Sequence, residues 1–280
     1  MAIIRINFMA QTLNRTVPLI VCLPTDKSYA PWQTEQRDPN KPFKTLYLLH
    51  GILGSEVDWL AGSRIQQWSD ERNLAVVMPA GENSFYLDHE WTGDYYSQFI
   101  GRELVEFTRR TFPLSHERSD TYIGGLSMGG YGALYNGLTY HETFGAIVAL
   151  SAGLNVQSGM DKITKNPRWF GETAAFLHSA FGPDLDQVVK STANPKVLID
   201  QLLAEKVTMP DIFMAIGDRD ELKSVNDDFD QFLTNKGIEH VYHVDSGNHE
   251  WDFWNRYLLK ALEWLPLEVK DQGIDSGNIK

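Results

Sequence analysis

Gly124-Gly125-Leu126-Ser127-Met128-Gly129-Gly130 is the stretch whose reading decides the fold. Ahead of it, Thr121-Tyr122-Ile123 is short, apolar and partly β-branched, as at the end of a strand. Behind it, Tyr131-Gly132-Ala133-Leu134-Tyr135-Asn136 reads as a helix. A serine between strand and helix, with a glycine two residues before it and another two after, is the pattern of a nucleophile elbow. The sharp turn projects the hydroxyl above the sheet. Glycines flank it because side chains there would collide with the adjoining strand and helix. The helix N-terminus brings backbone N–H groups and the positive end of its dipole to where an oxyanion would form. A turn serine with a merely structural role is the plain alternative, and the strand-before, helix-after context favours the nucleophile.

Working outward, the same alternation recurs along the chain. Ile4, Ile6 and Phe8 alternate with polar residues as in a half-buried strand, and residues 16–23 form a second strand ahead of Pro24. Residues 28–43, with three prolines, read as a loop. Short continuous apolar runs at 45–49, 74–78, 144–150 and 211–216 suit strands buried on both faces. Residues 64–72 and 95–111 read as helices, with an aromatic loop at 82–93 before the second. Phe229, Phe232 and Leu233 mark a helix closed by Lys236-Gly237, residues 239–244 a last strand, and Trp254, Leu258, Ala261 and Leu265 a final helix ended by Pro266.

Strands alternating with helices predict an α/β fold, a mostly parallel central sheet with helices on both faces. Residues 1–267 are expected to be one domain, and the polar residues 268–280 a flexible tail. Residues 154–206 give no strand signal. Trp169, Phe170, Phe176, Leu177 and Phe181 suggest a short apolar helix there, and residues 195–206 a second. Such an insertion suits a lid over a pocket, with plain packing helices as the alternative.

In parallel sheets ligands bind at the carboxyl ends of the strands. His50-Gly51, Ser127, Asp220 and His249 each follow a strand closely. A serine hydroxyl needs a base, and the base needs an acid to fix its tautomer. Of the eight histidines only His240, His243 and His249 follow the presumed acid strand, and only His249 lies in the loop after the last one. Asp218 and Asp220 both stand where the acid belongs, and either would also suit a helix cap. Asp245 is the reserve candidate. For the oxyanion hole, Met128 N–H is one donor. The other comes from His50-Gly51-Ile52-Leu53-Gly54, with Ile52 N–H ahead of Leu53 N–H. His50 is expected to shape its loop and Trp59 to pack.

Composition narrows the classes. The 280 residues carry a net charge of −12, with no basic stripe for a phosphate backbone, so no nucleic-acid partner is expected. The single cysteine, Cys22, lies in an apolar run and cannot form an intrachain disulfide. No signal-peptide pattern and no unbroken apolar window of membrane-spanning length appear, so a cytoplasmic protein without a membrane partner is expected. Metal motifs fail on spacing. Phe253 stands where a zincin helix needs its second histidine, and Leu222 and Lys223 interrupt the calcium-loop opening at Asp218-x-Asp220. No metal and no cofactor are expected.

The motifs together resemble the esterase D-like branch of the α/β-hydrolases, and are most similar to tributyrin esterases and the related feruloyl and acetylxylan esterases. The resemblance rests on His50-Gly51-Ile52-Leu53-Gly54 with Trp59, Asn83-Ser84-Phe85-Tyr86, the 125–133 elbow, Gly217-x-x-Asp220-x-Leu222 and His249-Glu250-Trp251 with Trp254. It implies an α/β-hydrolase fold and a serine carboxylesterase acting on short-chain acyl esters, or on acetyl or feruloyl esters. The family's G-x-x-D pattern selects Asp220 over Asp218. S-formylglutathione hydrolases are relatives that usually carry histidine where Leu126 stands. Trp169 and Phe170 are candidate pocket residues. The alternatives are an acyltransferase, a thioesterase and a catalytically inactive binding protein. A homo-oligomer is compatible with everything above.

Overall fold

The computed structural model describes residues 1–29, 37–155, 167 and 169–267. The expected tail at 268–280, much of the loop at 28–43 and the start of the insertion lie outside the described residues.

The chain opens with β1 (Ala2–Ala10) and β2 (Arg15–Leu23), followed by β3 (Lys44–Leu49), α1 (Asp58–Gly62), α2 (Ile65–Glu71) and β4 (Leu74–Pro79). A two-residue ladder, β5 (Asp88–His89) with β6 (Asp94–Tyr95), precedes one continuous helix. That helix is built of α3 (Tyr96–Gln98), a π-helical turn (Phe99–Glu103) and α4 (Leu104–Thr111). The elbow strand β7 (Thr121–Leu126) and helix α5 (Met128–Thr139) come next, then β8 (Ala146–Leu150). The insertion supplies α6 (Ala174–Phe181), α7 (Leu185–Lys190) and α8 (Pro195–Glu205). β9 (Asp211–Gly217), α9 (Lys223–Asn235), β10 (Val241–Asp245) and α10 (Trp251–Trp264) complete the fold.

Eight strands form one sheet in the order β1-β2-β4-β3-β7-β8-β9-β10. The two antiparallel pairings, β1 with β2 and β2 with β4, both involve β2, so β2 alone runs against the other strands. Side chains of a strand alternate between faces, and here each alternation fills a separate core. Leu46, Leu48, Val76, Met78, Val148 and Phe213 pack with Trp59, Trp68, Trp254 and Leu258 of α1, α2 and α10. Tyr47, Leu49, Val77, Ile147 and Met214 pack on the opposite face with Phe99, Leu134 and Phe229. This two-sided burial is why these strands read as continuous apolar runs.

The structure departs from the sequence expectations at the 82–95 segment, at two short helices and at His240. The loop expected at 82–93 contains the first half of the short ladder, and Tyr95 ends that ladder instead of starting a helix. Neither α1 nor α7 was expected, being five and six residues long, too short for a helical period to stand out. His240 precedes β10 instead of lying within it. Among the described residues no helix is long and apolar enough to cross a membrane.

Candidate active site

Ser127 joins β7 to α5 with φ +53° and ψ −117°, a conformation that L-residues seldom adopt. Its surroundings hold it there. Its N–H donates to Leu150 O at 2.9 Å, while its carbonyl accepts from Tyr131 N–H at 3.0 Å and Gly153 N–H at 2.9 Å. The turn is tight enough that a Cβ on Gly125 would lie 2.3 Å from Gly129 O, and one on Gly129 would lie 2.4 Å from Leu49 O.

His249, in the loop between β10 and α10, bridges two side chains distant in sequence. Its Nδ1 lies 2.9 Å from Asp220 Oδ2 and its Nε2 lies 3.0 Å from Ser127 Oγ. An ionised carboxylate can only accept, so Nδ1 carries the proton, and the Nε2 lone pair receives the serine hydroxyl. The Asp220 side chain is wholly buried, whereas that of His249 is 28% exposed. Burial pushes the Asp220 pKa up. The hydrogen bond and charge of His249, the Leu222 N–H and the Ser151 hydroxyl outweigh it and leave the carboxyl below its usual range.

Asp220 meets the histidine, and Asp218, the other candidate, faces solvent. Asp220 Oδ1 also accepts the Leu222 N–H at 2.9 Å, in the turn before α9, whose N-cap residue Leu222 makes no side-chain cap. Asp218 is half exposed, pairs with Arg219 and accepts the Gly247 N–H at 3.1 Å. Asp245 is engaged elsewhere, accepting from Tyr257 Oη at 2.9 Å.

Ser151 and Trp254 support Asp220, and no local signal assigned them that task. Ser151 is buried at the carboxyl end of β8 with φ +46°. Its Oγ accepts the Trp254 Nε1–H at 3.0 Å, and its hydroxyl bonds to Asp220. The Trp254 ring meets His249 edge-on, with centroids 4.9 Å apart. A polar residue directly after a buried strand was the available clue to Ser151.

The loop carrying Ile52 lies against the elbow, where a Cβ on Gly51 would sit 3.5 Å from Ser127 Cβ. Leu53 N–H is committed to Asn83 Oδ1 at 2.8 Å. Among the described residues Ile52 N–H and Met128 N–H have no hydrogen-bond acceptor. His50 shapes this loop. Its Nε2 accepts the Gly81 N–H at 2.8 Å and its Nδ1–H donates to Gly51 O at 2.7 Å. Burial holds its pKa below the usual histidine value, partly offset by the Gly51 carbonyl. Trp59 is buried, donates its indole N–H to Leu49 O at 2.9 Å and meets Trp251 edge-on.

Trp169 and Phe170 are partly exposed, with relative exposures of 47% and 37%. They begin a run of ring contacts. Trp169 meets Phe170, Phe170 meets Phe176 of α6, Phe176 meets Phe85, and Phe85 meets Tyr131 on the elbow helix. Among the described residues no hydrogen bond or ring contact joins either Trp169 or Phe170 to Ser127 or His249. No group of three His, Cys, Asp or Glu side chains there could hold a metal ion.

The family model described as "Putative esterase" matches residues 10–265. The chain is 44% identical over 268 residues to an acetyl esterase of Caldicellulosiruptor saccharolyticus, covering 95% of this chain and 98% of that one. Among solved structures it is similar to FphF, a fluorophosphonate-binding serine hydrolase of Staphylococcus aureus, with a TM-score of 0.80 and 29% identity. That match covers 94% of this chain and 98% of the other. An S-formylglutathione hydrolase (FrmB) of Staphylococcus aureus is also 29% identical, with a TM-score of 0.78 over the same shares. The chain therefore belongs to this esterase family and is a serine ester hydrolase of the α/β-hydrolase fold.

Proposed function

We propose that Ser127, His249 and Asp220 act as a catalytic triad on esters of acetic and other short-chain acids, through an acyl-enzyme. Ser127 Oγ attacks the ester carbonyl carbon while its proton passes to His249 Nε2. The alcohol leaves with that proton. Water then gives a proton to His249 and attacks the acyl carbonyl, and as the acid leaves His249 returns that proton to Ser127 Oγ. Asp220 holds the imidazole tautomer and stabilises the cation formed in each half-reaction. Ile52 and Met128 N–H groups receive the oxyanion, which is where electrostatic help is largest.

The unbroken Ser127–His249–Asp220 hydrogen-bond chain carries this reading. The acetyl preference is supported by the acetyl esterase relative. A thioester reading has some support from the S-formylglutathione hydrolase neighbour, and is weakened by buried Leu126 before the serine. The test is a pre-steady-state burst with p-nitrophenyl acetate, followed by a panel of p-nitrophenyl esters of graded acyl length, methyl ferulate and S-formylglutathione. The expected result is a stoichiometric burst and the highest kcat/KM at acetyl or propionyl. No burst, with no acyl-enzyme trapped on acid quench, overturns the mechanism. A larger kcat/KM on S-formylglutathione overturns the substrate assignment.

A further inference from the structure

We infer that Asn83 is a positioning residue of the oxyanion hole, acting by locking the Ile52–Leu53 peptide in one of two orientations. This rests on the hole proposed above.

The loop after β3 closes as a four-residue turn, with Gly54 N–H donating to Gly51 O at 3.1 Å. Its third residue, Leu53, has φ +65°, whereas Ile52 is not among the positive-φ residues. That combination is the signature of a type II turn, whose third position is normally glycine or asparagine. A leucine there is strained and would favour the type I form, reached by flipping the Ile52–Leu53 peptide. The flip exchanges the directions of Leu53 N–H and Ile52 C=O, next to the residue whose own N–H is needed for the oxyanion.

Asn83 opposes it. Its Oδ1 accepts the Leu53 N–H at 2.8 Å across thirty residues of chain. In the flipped turn that oxygen would face the Ile52 carbonyl, acceptor against acceptor. Asn83 is itself held on a strained segment. Glu82, Phe85 and Tyr86 have φ of +48°, +54° and +57°. Ser84 Oγ–H donates to Gly81 O at 2.6 Å, and Tyr86 Oη–H donates to His50 O at 2.9 Å. The 81–86 segment therefore grips the oxyanion loop at both His50 and Leu53. The same contact removes Leu53 N–H from the candidate donors and leaves Ile52 N–H.

Leu53 also has a relative exposure of 72%, so the strain is not offset by burial of its side chain. Asn83 and a glycine at position 53 are thus two interchangeable ways of keeping the turn.

That interchangeability gives the test. Kinetics with p-nitrophenyl acetate are measured for wild type, Asn83→Ala, Leu53→Gly and the double variant, with Ser127→Ala as a control. Asn83→Ala should lower kcat by about 10- to 100-fold, somewhat less than loss of a whole oxyanion donor, with KM changed less than about threefold. Adding Leu53→Gly should recover kcat at least about fivefold, because glycine takes positive φ without strain. The carbonyl infrared band of the trapped acyl-enzyme should move to higher frequency in Asn83→Ala and return in the double variant. An Asn83→Ala enzyme within twofold of wild type overturns the inference, as does a loss that Leu53→Gly leaves unchanged. Full activity in Ser127→Ala would instead overturn the mechanism on which it rests.

Discussion

Asp218 Oδ1 accepts the Gly247 N–H at 3.1 Å, two residues ahead of the His249 imidazole that Asp220 holds at 2.9 Å. Both aspartates at the end of β9 therefore brace the histidine loop, one through its backbone and the other through its ring. Their substitutions should part sharply. Asp220→Asn should lower kcat by about 10³- to 10⁴-fold, because an amide favours the wrong imidazole tautomer. Asp218→Asn keeps an acceptor for Gly247 and should cost less than about tenfold. Steady-state kinetics on one short-chain ester decide it, and the reverse order would move the acid to Asp218.

Ser127→Ala should remove esterase activity by a factor of about 10⁴ or more while leaving the circular dichroism spectrum and Tm near wild type. The bond lost is the one the hydroxyl donates to His249 Nε2, and the imidazole remains held by Asp220 through Nδ1. A residual kcat within tenfold of wild type would point to another nucleophile.

Gly129→Ala tests the elbow's tightness. The new methyl would meet Leu49 O at 2.4 Å and His50 O at 2.6 Å, both backbone atoms that cannot turn aside. Overpacking of this kind costs about 1–3 kcal/mol or more, so Tm should fall by roughly 6 °C or the variant should fail to accumulate in folded form. An unchanged Tm would show that the β3 loop gives way more easily than its hydrogen bonds suggest.

Stability should also depend on two buried histidines. Burial holds the His50 and His89 pKa values below the usual one. Below about pH 6.5 the unfolded chain takes up protons that the folded chain refuses, so unfolding becomes easier as pH falls. His50→Gln can still accept the Gly81 N–H, and it removes one of the two contributions. The decline in Tm between about pH 7.5 and about pH 5.5 should therefore be shallower in His50→Gln than in wild type. Parallel declines would assign the effect elsewhere.

The aromatic run from Trp169 to Tyr131 allows a test of the expected acyl pocket. If Trp169 or Phe170 bounds the acyl site, Trp169→Ala or Phe170→Ala should shift the acetyl-to-butyryl ratio of kcat/KM by roughly tenfold. A uniform loss at every acyl length would mean that the rings only pack the insertion.

What the sequence determined by itself is what local pattern encodes. Two-sided burial wrote β3, β4, β7, β8 and β9 as apolar runs, and the elbow wrote Ser127 as a serine between glycines. The polar residues at the strands' carboxyl ends picked out His50, Asp220 and His249. Where periodicity was short, it failed, as at α1, α7 and the two-residue ladder.

Tertiary structure alone decided the rest, because it turned on contacts between segments far apart in the chain. Asp218 and Asp220 would point the same way on an extended stretch, but the chain turns at 218–219, with Asp220 N–H donating to Gly217 O at 3.2 Å. The G-x-x-D resemblance chose Asp220, and only the closure of the loop after β10 brings its Oδ2 to the imidazole while its Oδ1 holds the Leu222 N–H. The support of Asp220 by Ser151, itself held by a tryptophan about a hundred residues on, has no local signature. The same holds for Leu53 N–H, which meets Asn83 only because β3 and β4 lie side by side in the sheet and bring their following loops together. Side-chain type set which chemistry was available; the packing of the sheet and the strain it sustains at Leu53, Ser127 and Ser151 set which atoms meet.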